Sequence, residues 1–464
     1  MIISRIMVFC RIYLDISVIA WYYALEVRKL KRAISCELIE WKNKSNRMPL
    51  LLYGARQVGK THIIREFGQN HYTNMAYVNL ETDPIASTWF DDNIDPKRII
   101  MLLEAHIKSR IVPEETLIIF DEVQSCERAL TSLKYFNENA PEYHIIAAGS
   151  LLGVAIKREN YSFPVGNVES KTLHSFTFEE FLWSQNEDIL VEEIRASFTT
   201  NAPLHPSLHK RASDLYKIYL IVGGMPASIL EYSGTDSLVT VPGVQNGIIN
   251  DYIADMAKYA SDSEAIKIRA AYNSVPAQLA KENRKFQYKV IQRGGSSSIF
   301  GEAIDWLETA RVVNKCYNLT TPEMPLEVYK DFTNFKLYMS DTGLLTMTSR
   351  TPQEIILNLT ETDNRFLGAI AENYVAQHFA ARDKSLLYWR SESKSGGQAE
   401  IDFVLQEGAN IIPVEVKAGE RVASRSLSVF VKRFKPPYSI RISAKNFGFE
   451  NEIKSIPLYA AFCI

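Results

Sequence analysis

The stretch PLLLYGARQVGKTHIIREFG, Pro49 to Gly68, passes from an apolar run through a glycine-rich basic segment into a helical pattern. Leu50, Leu51, Leu52 and Tyr53 predict a short buried strand that stops at Gly54. Ile63, Ile64 and Phe67 recur at helical spacing, with Gly68 as the expected stop. Between strand and helix, Gly54, Ala55, Arg56, Gln57, Val58, Gly59, Lys60 and Thr61 satisfy the phosphate-binding loop pattern in full. Glycines at its two ends let the backbone curl so that successive N–H groups converge on an anion. A helix starting near Lys60 adds partial positive charge at the same point. In this pattern Lys60 reaches the β- and γ-phosphates of ATP, and the Thr61 hydroxyl ligates Mg²⁺.

A loop that holds phosphates hydrolyses nothing without a metal-holding acid and a group that activates water. The segment TLIIFDEVQ offers both. Leu117 to Phe120 predict a fully buried strand, and Asp121 and Glu122 fall at its carboxyl end, where open α/β sheets bind ligands. Asp121 is the expected partner of Thr61 on Mg²⁺, and Glu122 the expected catalytic residue that polarises the attacking water. Paired acids 60 residues beyond Thr61 favour a hydrolase over a kinase. YHIIAAGS predicts a further strand ending in Ser150, placed either to sense the γ-phosphate or to cap a helix. MAYVNLE predicts another, with Glu81 at its end. Arg158 reads either as a solvated charge or as an arginine that reaches the phosphate.

The chain has 464 residues, enough for about three domains. At 46% hydrophobic and 23% charged it has the composition of an ordinary globular protein. A net charge of −2 means that any nucleic-acid contact must come from local patches. Five cysteines, none in a C-x-x-C pair, point to a reducing, cytoplasmic setting and away from structural zinc. Residues 1–29 form an apolar extension interrupted by Asp15, which reads as an extra helix or over-long start rather than a signal peptide or membrane anchor. Leu30, Ile34, Leu38 and Trp41 then fall on one helical stripe.

Towards the carboxyl end, AEIDFVLQEGANIIPVEVKAGE predicts a β-hairpin turning at Gly408 and Ala409. A two-residue turn sets Asp402 opposite Glu415, and Glu400 opposite Lys417, on one face. Ile401, Phe403, Leu405, Ile412, Val414 and Val416 take the other face. Opposed carboxylates repel, and a divalent cation would relieve that repulsion. From Arg421 to Lys445 there are seven Lys or Arg and no Asp or Glu, a pattern suited to a polyanion or to a basic surface that neutralises the acidic residues before it. Further upstream, PAQLAKENRKFQYKVI and SSIFGEAIDWLETARVV predict two helices, the second burying Phe300, Ala303, Ile304 and Leu307. VVNKCYNL and FKLYMSD follow as short strands. Lys281, Arg284, Lys285, Lys289 and Arg293 form a local basic run, read either as DNA contact or as a solvated face.

The segments GARQVGKT, LIIFDEVQ, AAGSLLG, SFPVG, FTFEEFL and VGGMPA resemble those of bacterial and archaeal AAA-type ATPases with an uncharacterised carboxy-terminal domain. That resemblance runs from about Lys31 to the end. Asp402, Glu415 and Lys417 in turn resemble the metal site of restriction-endonuclease-like nucleases. In such a site carboxylates hold Mg²⁺ and the lysine assists the attack on a phosphodiester. Glu372, in FLGAIAENYVAQHF, matches that family's additional helix acid and metal ligand. The expected fold is α/β: an amino-terminal extension (1–29), a P-loop AAA-type ATPase core (30–204), a helical lid (205–262), a winged helix (263–350) and an α/β restriction-endonuclease-like domain (351–464). The resemblance implies ATP and Mg²⁺ as cofactors and DNA as partner, and leaves homo-oligomer formation open. It leaves two activities in view: an ATP-dependent DNA nuclease, and an ATP-switched DNA- or protein-binding module whose nuclease-like domain is catalytically silent.

Overall fold

The computed structural model describes residues 30–150, 164–258, 260–281, 284–358, 365–391, 399–419 and 425–464. The expectations for residues 1–29 and for Arg158 lie outside the described residues. None of the described helices is long and apolar enough to cross a membrane.

Helix α1 (Ile34–Lys42) buries Ile34, Leu38 and Trp41, as the stripe requires. Strand β1 (Leu50–Tyr53) feeds the phosphate loop into α2 (Lys60–His71). The helix runs one turn past Gly68, which is an interior residue packed against Met75 and Leu117 rather than a stop. Next come β2 (Asn74–Asn79), α3 (Pro96–Ile107), β3 (Thr116–Asp121), α4 (Glu127–Asn139), β4 (His144–Ala148) and β5 (Glu169–Thr172). These five strands form one parallel sheet in the order β2-β3-β4-β1-β5. Alternate residues of the central strands enter different cores. Leu117 and Ile119 face one, Ile118 and Phe120 the other. A sheet covered on both faces explains why β3 is buried along its entire length.

Helices α5 (Phe178–Ser184), α6 (Asp188–Thr200), α7 (Pro206–Val222), α8 (Pro226–Thr235) and α9 (Val241–Lys258) follow. Thr177 and Glu180 close a reciprocal cap at the start of α5. The chain breaks at Gly223-Gly224, between α7 and α8, as expected.

Helix α10 (Asp262–Leu279), the short α11 (Tyr288–Ile291) and α12 (Ser297–Thr309) precede an antiparallel pair, β6 (Val313–Leu319) and β7 (Lys330–Met339). The stripe of α12 is as predicted. The single helix predicted over PAQLAKENRKFQYKVI is not formed. The Gln278 amide donates to the Gln287 carbonyl (3.0 Å) and accepts from its N–H (3.0 Å), which fastens a break between α10 and α11.

The last third comprises α13 (Thr342–Thr348), α14 (Arg365–Ala381), β8 (Leu387–Arg390), β9 (Glu400–Ile401), β10 (Phe403–Glu407), β11 (Asn410–Val416), α15 (Arg425–Phe434), β12 (Ser439–Ser443), β13 (Gly448–Glu450) and β14 (Ile453–Pro457). Two sheets arise here, β10-β11-β12-β14-β13 and β7-β6-β8-β9. The second joins strands from both sides of position 350, so the β6–β7 pair is continuous with the carboxy-terminal strands. The β10–β11 hairpin has the predicted register, with Phe403 opposite Val414 and Glu407 opposite Asn410. The predicted opposition of Glu400 and Lys417 does not occur. The chain bends at Asp402, and Glu400 pairs instead with Arg390 of β8.

Candidate functional site

The phosphate loop takes its shape from two glycines. Gly54 has φ +150°, and a Cβ there would strike the Leu173 carbonyl of the strand-following segment. Gly59 has φ +95° and begins α2. Lys60 lies under the loop, donating to the carbonyls of Gly54 (3.0 Å) and Ala55 (2.8 Å). Burial lowers its pKa to about 8, against the opposing pull of Glu122 and Asp121.

Because β4 separates β1 from β3, the ends of all three strands converge on this loop. Thr61 Oγ1 donates to Asp121 Oδ2 at 2.7 Å, and the Tyr77 hydroxyl donates to the same oxygen at 3.0 Å. Asp121 Oδ1 accepts from the Glu122 N–H at 3.0 Å. Glu122 sits in the left-handed region, φ 50°, a conformation uncommon for a residue with a long side chain. Its Oε2 accepts from Gln124 Nε2 (2.5 Å) and Ser150 Oγ (3.4 Å). Thr61, Asp121, Glu122 and Ser150 are therefore brought together. Glu81 is not part of that cluster and pairs with Lys258.

Two supports of the loop come from residues that sequence patterns did not single out. Arg32 donates from Nη1 to the Val58 carbonyl (3.1 Å), from Nε to Glu180 Oε1 (3.0 Å) and from Nη2 to the His174 carbonyl (2.7 Å). Its guanidinium also lies over the Phe176 ring. A buried cation this fully paired buttresses the loop from behind. From the other side, α9 pairs Asp255 with Arg56 and Asp251 with Gln57, and the Tyr252 hydroxyl donates to the Arg56 carbonyl at 3.1 Å. Their partners lie far away in sequence, so spacing alone carried no signal for them.

The carboxy-terminal candidates divide into two groups. Asp402 Oδ2 accepts from the Val416 N–H at 2.8 Å. Glu415 is buried and pairs with Lys417 Nζ (3.1 Å), with Arg441 Nε 3.7 Å from its other oxygen. Glu372 belongs to the other group. It meets Lys336 Nζ at 2.9 Å and is paired with Arg284 and the Tyr338 hydroxyl. Arg284, counted in the predicted basic run, is therefore spent on an internal carboxylate. Among the described residues no group of three or more His, Cys, Asp or Glu side chains is placed to hold a metal ion.

Residues 46–182 match the family model of an AAA domain. Residues 213–354 and 367–461 match two models that are domains of unknown function, DUF8612 and DUF4143. No curated relative matches the chain. Among solved structures, a Walker-type ATPase of Pyrococcus abyssi is 13% identical, over 69% of this chain and 96% of its own, with a TM-score of 0.41. The ORC2 protein of Aeropyrum pernix is 10% identical over 75% and 95%, with a TM-score of 0.34. DnaA from Aquifex aeolicus is 13% identical over 60% and 87%, with a TM-score of 0.27. The domain match, the phosphate loop and the parallel sheet make the amino-terminal part an AAA-type P-loop ATPase domain.

Proposed function

We propose that the chain is an ATP-binding and ATP-hydrolysing AAA-type switch that contacts DNA through its carboxy-terminal third. The observation that carries the first part is the hydrogen-bonded set of Thr61, Asp121, Glu122 and Ser150 at the mouth of the phosphate loop. In this reading the loop N–H groups of Gly54–Thr61 and the Lys60 ammonium bind the phosphates of ATP–Mg²⁺. Thr61 and Asp121 are the residues that would hold its metal, since a hydroxyl and a carboxylate already meet there. Glu122 orients the attacking water and accepts its proton, and its contact with Ser150 supports a γ-phosphate-sensing role for that hydroxyl. The division into ATPase core, helical lid, winged helix and restriction-endonuclease-like domain at residues 204, 262 and 350, and the cytoplasmic setting, belong to the same proposal.

The depressed Lys60 pKa gives a pH test. A phosphate partner favours the ammonium and raises that pKa, so above the free value binding must take up a proton. ATP affinity is expected to be flat below about pH 8 and to fall about tenfold per pH unit above it, until the pKa of the complex is reached. Calorimetric titrations from about pH 7.5 to about 9.5 measure this, and an affinity unchanged across that range would contradict the role given to Lys60.

For DNA, Leu427 and Phe430 bury one side of α15, while Lys432, Arg433 and Lys435 are exposed. Clustered cations without neighbouring acids favour a phosphodiester backbone through counterion release. Charge reversal of all three should weaken DNA binding by about tenfold or more and flatten the salt dependence by up to about three slope units, equally for all sequences. Unchanged affinity would move the interface to Lys289 and Arg293.

The nuclease resemblance further implies Mg²⁺-dependent cleavage at Asp402, Glu415 and Lys417, with Glu372 as an additional ligand. As they stand these side chains do not fit a divalent ion. Glu372 and Glu415 are already ion-paired with lysine and arginine, and Asp402 is bonded to the hairpin backbone. The proposed function therefore keeps the DNA contact and omits a cleavage step. Supercoiled plasmid in the same binding reactions is expected to stay intact with Mg²⁺, with or without ATP.

A further inference from the structure

Lys336 is fully buried, at 0% exposure, in the middle of strand β7. A lysine ammonium is almost never placed there without strong compensation. Its Nζ lies 2.9 Å from Glu372 Oε1 and 2.7 Å from Glu400 Oε1, and 4.9 Å from the centre of the Tyr388 ring. These partners come from three different elements: α14, β9 and β8. Arg284 and the Tyr338 hydroxyl complete the surroundings of Glu372, itself 1% exposed. Two carboxylate oxygens thus converge on one nitrogen at hydrogen-bond distance.

We infer that Lys336 is a resident cation occupying the position between Glu372 and Glu400, and that this ion cluster works as a metal-free lock joining the β6–β7 pair to the carboxy-terminal domain. The charge balance supports the assignment. With Lys336 and Arg284 present, Glu372 and Glu400 offer no excess negative charge to a divalent ion. Taking Lys336 away would leave the buried Glu372 and the partly buried Glu400 carboxylates facing each other, the condition under which a hard cation is bound through oxygen. The inference does not depend on DNA contact or on ATP hydrolysis.

The test uses the full chain without nucleotide and Mn²⁺ alone as the probe. Wild-type protein is expected to show no saturable Mn²⁺ uptake by calorimetry and no change of Tm with millimolar Mn²⁺. Lys336→Met should lower Tm by about 5 °C or more in metal-free buffer, because it leaves buried charge uncompensated. Mn²⁺ should restore most of that loss through one saturable site. Lys336→Met/Glu372→Gln, which removes one charge of each sign, should recover stability without metal and lose the response to Mn²⁺. Should the single variant not fold, the double variant is still expected to, and its failure would overturn the lock. The inference also falls if wild-type protein takes up Mn²⁺ in a manner abolished by Glu372→Gln, or if Lys336→Met matches wild-type stability and ignores Mn²⁺.

Discussion

Glu122→Gln is expected to lower ATP turnover by about 10²- to 10³-fold while leaving ATP affinity within about twofold of wild type. The substitution keeps the size and polarity of the side chain but removes the carboxylate that can take a proton from water. Its contact with Ser150 can persist through the amide oxygen, so the loss should appear in kcat and not in KM. Lys60→Ala should behave in the opposite way. It removes a buried cation from the phosphates and should weaken ATP binding by about 10²-fold, roughly 3 kcal/mol. The measurement is steady-state hydrolysis combined with equilibrium binding of ATP to each variant. Wild-type turnover in Glu122→Gln would remove that residue from the chemistry and leave the phosphate loop as a binding site only.

Gly224→Ala should destabilise the protein by about 3 kcal/mol or more. Gly224 is crossed on both sides. Its N–H donates to Asp341 Oδ2 (2.7 Å) and its carbonyl accepts from the Phe176 N–H (2.7 Å). A Cβ there would overlap the Phe176 carbonyl and lie 2.8 Å from its nitrogen, so the backbone itself would have to move. Asp341 in turn caps α13 through the Leu344 N–H. Gln377 of α14 bonds Thr342, Ser175 and Tyr219. One glycine therefore sits where the segment after β5, helices α7 and α8 and the carboxy-terminal third meet, and its loss should loosen all three in a single transition. Gly247→Ala is the internal control. It lies in α9 with open space around it, and the gain in helix propensity should stabilise by about 0.5–1 kcal/mol. Chemical denaturation of both variants checks the pair, and a Gly224→Ala protein as stable as Gly247→Ala would show that the junction is not tightly packed.

Sequence by itself determined the parts whose physics is local. The loop from Gly54 to Thr61 needs glycine dihedrals and a helix start, and both are written in consecutive residues. Leu117–Phe120 could only be a strand buried on both faces, which places Asp121 and Glu122 at the sheet edge. The hairpin register from Phe403 to Val414 followed from a two-residue turn and strict alternation. Tertiary structure decided what depends on partners distant in the chain. Glu400 left the predicted hairpin because β8 offered it a backbone ladder at Arg390. Glu372 met Lys336 and Arg284 rather than standing free towards the hairpin. Arg32, Asp251 and Asp255 closed around the phosphate loop from positions with no motif of their own. A buried charge requires a counter-charge, but nothing in its neighbouring residues specifies which segment will supply it. That choice is made only when the elements pack.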